Sequence, residues 1–561
     1  MRNIQYQSLQ YRNDRLITPY YDFSGGIFYT ENQDRLANNE VSDMCNLDIM
    51  NDGSLKMRDA FVQSELTGTI LNDSRYGVSY VYDRGDSYEI IGLLNGNLVK
   101  IPSNEVLASG YSNVASFVQY KTKLYILGAG HFRVYDGTEL KDVTVPDGAL
   151  TEDEQAANDL DYVKDGTIMT IYNGRIVISG IPSAPNAVYY SQRNTPYFFD
   201  STDASDILEP VQEDNDRIMA LETYASGLLI FKRYSIYIAM NVGSASETLI
   251  RLNIPTGTIS PKTIVRFDNF LVFWGTDNKV YGIYGGSYYA MTRDRVQTYC
   301  LSDNIDGMLQ EYDNEWKDRA VATYYEGKYI LAVHKEINSV VYTKTFNMYT
   351  LGRDTNTLIQ QQSWSTYDHI DITGFIQIPN QPLQMYGIYT TRIFKFKKGN
   401  DLDFDMYDEL STTDDIAYKV YIKFKEYNME SPENYKIFRA GWIQFSEVLR
   451  TDFQEFKHNL YVDKVWTYLS SIEDKQVESF KAPDKEWSLA TAGTNWDDFY
   501  WSSNKNPAYY FRINSKGRTV QNELEFKTYG KKIYILGNSF EYKTKYPQRY
   551  NNNTNFKRGN S

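Results

Sequence analysis

One local pattern recurs through the middle of the chain: an aromatic residue, a polar or glycine turn, and then a short apolar run that is typical of a buried strand. It begins at positions 120, 172, 224, 267 and 325, so that successive copies start 52, 52, 43 and 58 residues apart. In each copy, a second strand rich in aromatic or β-branched residues follows the first. A hairpin that repeats at this period indicates a β-propeller built from four-stranded blades.

Two weaker copies extend the pattern, one at residues 88–101 and one at residues 384–395. The propeller therefore has six or seven predicted blades and occupies residues 61–410. It carries neither WD nor kelch signatures. The alternative fold is a large array of β-sandwiches in which the spacing arises by chance.

Beyond residue 401 the pattern changes to evenly spaced strands of alternating polarity, which run from residues 418–424 to residues 533–536. About one sandwich domain fits this length. We predict an all-β protein in which a β-sandwich at 411–546 follows the propeller. Residues 1–60 form an N-terminal segment that leads into the propeller and is a candidate for closing it, residues 547–561 are a flexible tail, and the acidic stretch 151–161 is a loop or one short helix.

The composition supports strands and large contact surfaces, because Tyr alone contributes 50 residues and Pro only 15. The formal charge of −14 excludes a protein that holds nucleic acid through a basic surface. Cys45 and Cys300 lie far apart in a chain without a metal-binding Cys/His cluster, which predicts two unpaired structural thiols. The sequence shows neither a signal peptide nor an apolar stretch long enough for membrane insertion.

The sequence lacks the usual catalytic motifs, namely a GxSxG elbow, a P-loop and an HExxH helix. The four histidines are scattered singly, which favours solvated or packed side chains over a metal or acid/base site. They are His131, His334, His369 and His458. We therefore expect no enzymatic activity, no cofactor and no metal.

Three weaker patterns have a structural alternative that we favour. Residues 48–53 superficially resemble a calcium loop, but the ligand spacing is wrong, and a tight turn with a positive φ at Gly53 is favoured. Three carboxylates alternate along an extended segment, namely Asp401, Asp403 and Asp405. They could bind a cation, or they could line a solvated strand edge, and we favour the solvated edge. Three tryptophans with neighbouring carboxylates could stack on sugar rings, but core packing is favoured; these residues are Trp487, Trp496, Trp501, Asp497 and Asp498.

The most specific passage lies near the N-terminus, where residues 22–27, 45–48 and 51–58 read DFSGGI, CNLD and NDGSLKMR. It resembles the opening of the β-propeller tail proteins of short-tailed bacteriophages, which are called tail nozzle, tail tubular or head-to-tail stabilisation proteins. Asp59 departs from the glycine or Pro-Gly that the family usually has there. Strands at 436–442, 517–522 and 540–543 are similar to the C-terminal sandwich of such proteins. The matching residues, which we interpret as a structural element rather than a catalytic site, are Gly25, Gly26, Asn46, Asp48, Gly53, Leu55 and Arg58.

The resemblance implies a homo-hexameric ring at the bottom of a virion tail, assembled in the host cytoplasm and docked on the adaptor ring below the portal. Such a ring retains the genome and passes genomic DNA during ejection without sequence-specific binding. An acidic wall suits this role, because it repels the duplex and keeps it centred. Two other functions remain open: a receptor- or glycan-binding tail protein, and a propeller-type glycoside hydrolase or lyase.

Overall fold

In the computed structural model, the chain forms two compact units, one of residues 1–58 with 417–561 and one of residues 59–416. The described part of each unit consists mainly of antiparallel strands. The structure describes residues 16–32, 35–64, 66, 76–111, 115–200, 207–209, 216–224, 226–267, 270–284, 297–313, 315–337, 340–350, 362–368, 372–379, 384–389, 392–396, 403, 417–446, 452–471, 508–529 and 531–545.

Five short strands come first in the chain and belong to the unit that also contains the C-terminal residues. The sequence treats residues 1–60 as a separate segment, because the strands with which three of the five pair lie almost 400 residues or more further along the chain. The remaining pairings are local and join strands within the segment. The strands are β1 Leu16–Tyr20, β2 Gly26–Ile27, β3 Glu40–Cys45, β4 Leu47–Ile49 and β5 Leu55–Met57.

Residues 59–416 contain seven groups of four antiparallel strands within their described part. We number these blades 1 to 7. Blades 1 to 6 each consist of four consecutive strands, whereas blade 7 takes its fourth strand, β6, from the start of the unit. The strands are β6 Phe61–Gln63; β7 Tyr76–Asp83, β8 Tyr88–Leu94, β9 Asn97–Ile101, β10 Glu105–Ala108; β11 Ser116–Tyr120, β12 Lys123–Gly128, β13 His131–Tyr135, β14 Leu140–Asp142; β15 Ile168–Tyr172, β16 Arg175–Ile181, β17 Ala184–Tyr190, β18 Ile207–Leu208; β19 Ile218–Tyr224, β20 Gly227–Lys232, β21 Ile236–Met240, β22 Thr248–Arg251; β23 Val265–Phe267, β24 Phe270–Trp274, β25 Val280–Tyr284, β26 Gln297–Cys300; β27 Val321–Tyr325, β28 Lys328–Ile337, β29 Val340–Tyr349, β30 Trp364–Tyr367; β31 Gly374–Ile378, β32 Gln384–Tyr389 and β33 Arg392–Phe396.

The blades form a closed ring. The first strands of blades 7, 1, 2, 3 and 4 lie side by side in that order, as do those of blades 5, 6 and 7. Blades 4 and 5 share an apolar cluster in which the rings of Phe231 and Phe273 meet at 5.3 Å between centroids. The prediction of a β-propeller is confirmed, and the ring has seven blades. The sequence leaves the stretch before Phe61 as a candidate for closing the ring, and the strand that completes blade 7 begins at Phe61 itself.

In the described part of the propeller unit, short helices lie between consecutive blades. Between blades 2 and 3, the stretch predicted as a loop or one helix forms two helices, α1 Glu152–Ala157 and α2 Leu160–Val163. Thr151 and Glu154 form a capping box at the start of α1. The third helix, α3 Asp306–Gln310, precedes blade 6, and the short 3₁₀ helices are Pro261–Thr263, Asp303–Ile305 and Lys317–Arg319.

The other unit is a β-sandwich, as the sequence predicts. Its first sheet has the order β38, β35, β40, β5, β4, with β1 paired to β40, and its second sheet has the order β2, β3, β34, β39, β36, β37. Aromatic side chains fill the space between them, for example where the His458 and Phe511 rings meet at 4.6 Å. The C-terminal strands are β34 Val420–Phe424, β35 Tyr435–Phe445, β36 Phe453–Val462, β37 Val465–Ser471, β38 Ala508–Gly517, β39 Val520–Thr528 and β40 Tyr534–Lys545.

Candidate functional site: the N-terminal motif and the contacts between blades

Arg58 is fully buried in the sandwich unit. Its Nε donates a hydrogen bond of 2.9 Å to Oδ1 of Asn46, and its guanidinium carbon lies 3.9 Å from the centroid of the Tyr418 ring. The Tyr418 hydroxyl in turn donates to the carbonyl oxygen of Arg58 at 2.6 Å. A buried charge is tolerated only with such partners. Arg58 thus joins the N-terminal strands to the chain 360 residues later.

Asn46 is the hydrogen-bond partner of Arg58 in this contact. Its φ of 61° lies in the left-handed region, which asparagine adopts more readily than most residues. From that conformation, its Nδ2 donates to the carbonyl oxygen of Lys419 at 2.7 Å, and its own carbonyl accepts the Arg58 N–H at 3.2 Å. Asn46 therefore links β3, the residue after β5, and the residue before β34.

Gly53 closes the turn between β4 and β5 with a φ of +84°. The prediction of a tight turn with a positive φ at this residue is confirmed. Its carbonyl accepts the Phe23 N–H at 2.8 Å, and a Cβ at this position would lie 2.5 Å from Oδ1 of Asp22. Only glycine fits both the backbone conformation and the approach of Asp22.

The other four motif residues lie in the same unit. Gly25 N–H donates to the Asn39 carbonyl at 2.9 Å, and a Cβ on Gly25 would lie 2.8 Å from that oxygen. Gly26 begins β2, which pairs in parallel with β3. Asp48 is buried opposite Lys56 in the β4–β5 hairpin, and Leu55 is buried in β5, opposite Ile535 of β40.

A titratable lysine lies near this hairpin. Burial, followed by the positive charge of Lys56, lowers the pKa of Lys532 to about 8, and the carboxylate of Asp48 partly offsets the two effects. The motif residues together form hairpins, a glycine turn and a buried arginine contact. These are structural contacts, and they contain no arrangement of nucleophile, base and substrate pocket.

Three tyrosines, of which Tyr120 and Tyr172 begin copies of the repeated sequence pattern, have a common role that sequence reasoning missed. Each lies at the end of the first strand of its blade, and its hydroxyl donates to a carbonyl oxygen in the first turn of the next blade. The acceptors occupy the same position in their turns. The bonds are Tyr82 to Thr122 at 2.5 Å, Tyr172 to Ser226 at 2.8 Å and Tyr120 to Gly174 at 3.3 Å, and the Tyr120 hydroxyl shares its proton with Oδ1 of Asn194 at 2.8 Å.

Two of the four histidines are buried. Burial lowers the pKa of His334 and of His458 to about 4, so both are neutral at pH 7. Nε2 of His458 lies 3.1 Å from Oδ1 of Asn522, and Nδ1 of His334 lies 3.0 Å from the Thr343 hydroxyl. The prediction of packed histidines is confirmed for these two. His131 is partly buried beside Arg133, and His369 lies outside the described residues.

The prediction of a solvated edge at the alternating carboxylates is wrong for Asp403. This residue is buried, and its Oδ1 accepts the Phe61 N–H at 3.0 Å. The carboxylate faces inward because β6 needs an acceptor for its first amide when it joins blade 7. Asp401 and Asp405 lie outside the described residues, as do Trp487, Trp496, Trp501, Asp497 and Asp498.

The described residues show little that suits a catalytic site. In the described ranges, no three His, Cys, Asp or Glu side chains come together as a metal site. A cavity lined by Phe61, Tyr325, Tyr367 and Phe396 has a volume of about 30 Å³, which is room for a water molecule or two. Neither Cys45 nor Cys300 forms a disulfide. No helix among the described residues is long and apolar enough to cross a membrane.

Residues 49–350, more than half of the chain, match the family model described as the bacteriophage P22 Gp10 β-propeller. This chain belongs to that family. The match begins within the N-terminal motif, at β4, and ends just after β29 of blade 6. The predicted identification as a tail protein of the head-to-tail stabilisation type is confirmed, and the protein is a structural phage protein of the virion. A comparison with curated protein sequences gives no match.

Comparison with solved structures gives only distant likenesses. The extracellular domain of a one component system from B. thetaiotaomicron is 12% identical, with a TM-score of 0.39 over 78% of this chain and 58% of that chain. The Neurospora crassa Pan2 WD40 domain is 8% identical, with a TM-score of 0.33 over 62% and 98%. YCF48 bound to D1 peptide is 11% identical, with a TM-score of 0.32 over 62% and 96%. This chain spans 58% of the first of these structures and 44% of another match, the extracellular domain of a hybrid two component system from B. thetaiotaomicron, which is 10% identical with a TM-score of 0.33 over 65% of this chain. All of these TM-scores are too low to support any argument about function.

Proposed function

We propose that this protein is the subunit of a hexameric tail nozzle that docks on the adaptor ring below the portal, retains the packaged genome and conducts DNA during ejection. It performs no chemical reaction. The observation that carries the proposal is membership of the P22 Gp10 propeller family over residues 49–350.

The charge of the chain supports a conduit. Each Lys or Arg contact with a phosphate adds a salt-dependent attraction, and many such contacts would slow a moving duplex. A subunit with a formal charge of −14 repels DNA on average. The average electrostatic interaction between the subunit and DNA is therefore repulsive, which favours passage of the duplex over its binding.

The closure of the propeller supports a mechanical role. Blade 7 is completed by β6, whose residues Phe61 to Gln63 pair with Phe394 to Phe396 of β33. Because β6 and β33 are distant in sequence, separating blade 7 from the start of the unit requires this pairing and the hydrogen bond from the Phe61 N–H to Asp403 to break. Such a ring suits a part that withstands the pressure of a packaged genome.

The experiment that tests this role uses filled heads that carry portal and adaptor but lack this protein. We expect these heads to leak DNA, measured as nuclease-sensitive DNA over time, and we expect the purified protein to restore retention. Equal retention with and without the protein would contradict the proposal. Heat-denatured protein and bovine serum albumin serve as controls for non-specific effects.

A further inference from the structure

The two sheets of the sandwich have very different outer faces. Contacts with the second sheet identify the inner face of the first sheet. Examples are Phe511 against His458 and Tyr509 against Phe456. Alternation along β35 and β38 then places the intervening side chains on the outer face. These include Tyr435, Trp442, Tyr510, Arg512 and Lys516.

Aromatic and aliphatic side chains are exposed on this outer face of the first sheet. Tyr435 is 43% exposed and Tyr510 is 46% exposed, and Ile17, on the neighbouring strand β1, is 45% exposed. Trp442 lies directly across from Tyr510 in the β35–β38 register. Exposed side chains of this kind, grouped on one sheet face, mark an interaction surface.

Four cations lie on the same face, and each is exposed. Lys516 and Arg518 lie at 5.0 and 4.9 Å from the centroid of the Tyr435 ring, while Arg439 and Arg512 lie further along the same two strands. Within the described part of the chain, none of the four is within ion-pair distance of a carboxylate. In a chain with 72 carboxylates and 58 lysines and arginines, four unpaired cations on one sheet face are unexpected.

The outer face of the second sheet provides an internal comparison. There, carboxylates and lysines alternate across the strands and pair with one another. Lys419 lies 2.7 Å from Glu525, and Lys527 lies 3.1 Å from Glu455. Such balanced pairing is typical of a face that remains in water.

We infer that the outer face of the first sheet is the surface by which one subunit docks on an acidic surface of a second copy of this chain. The inference rests on the proposed ring, and it deepens that proposal by naming a contact. A ring with a head-to-tail interface needs two different complementary surfaces on each subunit. Aromatic residues and arginine are enriched in protein interfaces.

The propeller unit carries a suitable acidic surface. Residues 147–165, around α1 and α2, contain seven carboxylates and one lysine. Glu152 and Asp153 are exposed at the start of α1. Charge complementarity between such a stretch and the four cations would fix the direction of the head-to-tail contact.

A nucleic acid fits the same face less well. The two cations at Tyr435 lie over its ring, where a base would have to stack.

The test compares the full-length protein with two double variants that change the charge equally. Arg512→Glu/Lys516→Glu alters the outer face of the first sheet, and Lys457→Glu/Lys527→Glu alters the outer face of the second sheet. Mass photometry over a dilution series measures the concentration at which rings appear. We expect the first variant to raise that concentration about tenfold or more and the second to change it less than about threefold. Thermal unfolding of both variants verifies that they are folded.

Each outcome is decisive. If wild-type rings form and both variants assemble like the wild type, the inference is wrong while the ring remains. If the wild type forms no rings either alone or with the adaptor ring, the proposed function itself fails. If the first variant assembles normally but loses binding to a 30-base-pair duplex measured by fluorescence anisotropy, the face binds nucleic acid and the inference is overturned.

Discussion

The hydroxyl of Tyr172 in blade 3 donates a hydrogen bond of 2.8 Å to the carbonyl oxygen of Ser226 in blade 4. The same bond joins blade 1 to blade 2 and blade 2 to blade 3. In blades 2 and 3, the aromatic residue that begins the repeated sequence pattern is therefore also the residue whose hydroxyl joins the blade to the next one. A propeller gains rigidity in this way, because neighbouring blades are linked by hydrogen bonds as well as by apolar packing.

Replacing Tyr172 with Phe removes this hydroxyl and leaves the ring in place. We expect a loss of about 1 kcal/mol in the free energy of unfolding, since one neutral, partly buried hydrogen bond is lost. Urea denaturation of the full chain measures the change. Tyr234→Phe is the control, because Tyr234 is 58% exposed, and a change there within about 0.5 kcal/mol is expected. Equal effects of the two substitutions would contradict the assigned role.

Arg58 allows a second prediction, about the N-terminal motif. Arg58→Met removes the charge and leaves Oδ1 of Asn46 and the face of the Tyr418 ring without the contacts described above. We expect a loss of about 2 kcal/mol or more. Arg58→Lys should recover little of it, because an ammonium cannot reproduce the planar guanidinium. A stable Arg58→Lys protein with wild-type denaturation would show that the planar contact is unimportant.

Gly53 and Gly85 make a matched pair for a third prediction. Both have a positive φ, +84° and +93°, but a Cβ at Gly85 would meet nothing within 4 Å, whereas one at Gly53 would lie 2.5 Å from Oδ1 of Asp22. Each alanine substitution should cost about 1 kcal/mol for the backbone conformation. Gly53→Ala should cost clearly more, because Asp22 must also move. Equal losses in thermal unfolding would mean that the approach of Asp22 does not matter.

His458 gives a prediction about pH. Burial lowers its pKa from 6.5 to about 4, so the unfolded chain binds the proton more readily than the folded one. The neutral histidine therefore favours the fold above about pH 6.5, and this contribution is lost as the pH falls through 4. His458→Gln should be less stable than the wild type at pH 7, and the difference should shrink at pH 4.5. A difference that is constant between these pH values in urea denaturation would contradict the assignment.

Much of the fold is readable from the sequence because its repeats are local. The pattern at Tyr120 and Tyr172 contains a strand end, a turn and a buried strand within about ten residues, so a hairpin can be recognised without knowledge of its neighbours. The turn of β15 and β16 illustrates this, since Asn173 and Gly174 both take positive φ values, as a two-residue hairpin turn requires.

The contacts that the sequence does not reveal are those between distant segments. Tyr418 packs on Arg58, and Asp403 accepts a hydrogen bond from Phe61, across more than 300 residues. No periodicity connects such pairs. The sequence could identify Arg58 and Asn46 only through family resemblance, and it predicted a solvated position for Asp403 because three alternating carboxylates usually face water.

The cluster of cations on the outer face of the first sheet also cannot be predicted from the sequence. Arg439, Arg512 and Lys516 are scattered among acidic and neutral residues, and the overall charge is negative. Only the register of β35 with β38 brings them to one side of a sheet. Net charge therefore describes the average surface and not the individual face.

The central claim is that the chain assembles into a ring through which DNA passes. Its most direct test is the mass of the purified full-length protein in solution, with and without the adaptor ring, followed by negative-stain imaging. We predict particles of about six copies with an axial hole, formed or stabilised on the adaptor. A protein that stays monomeric at every concentration and ignores the adaptor would contradict the claim.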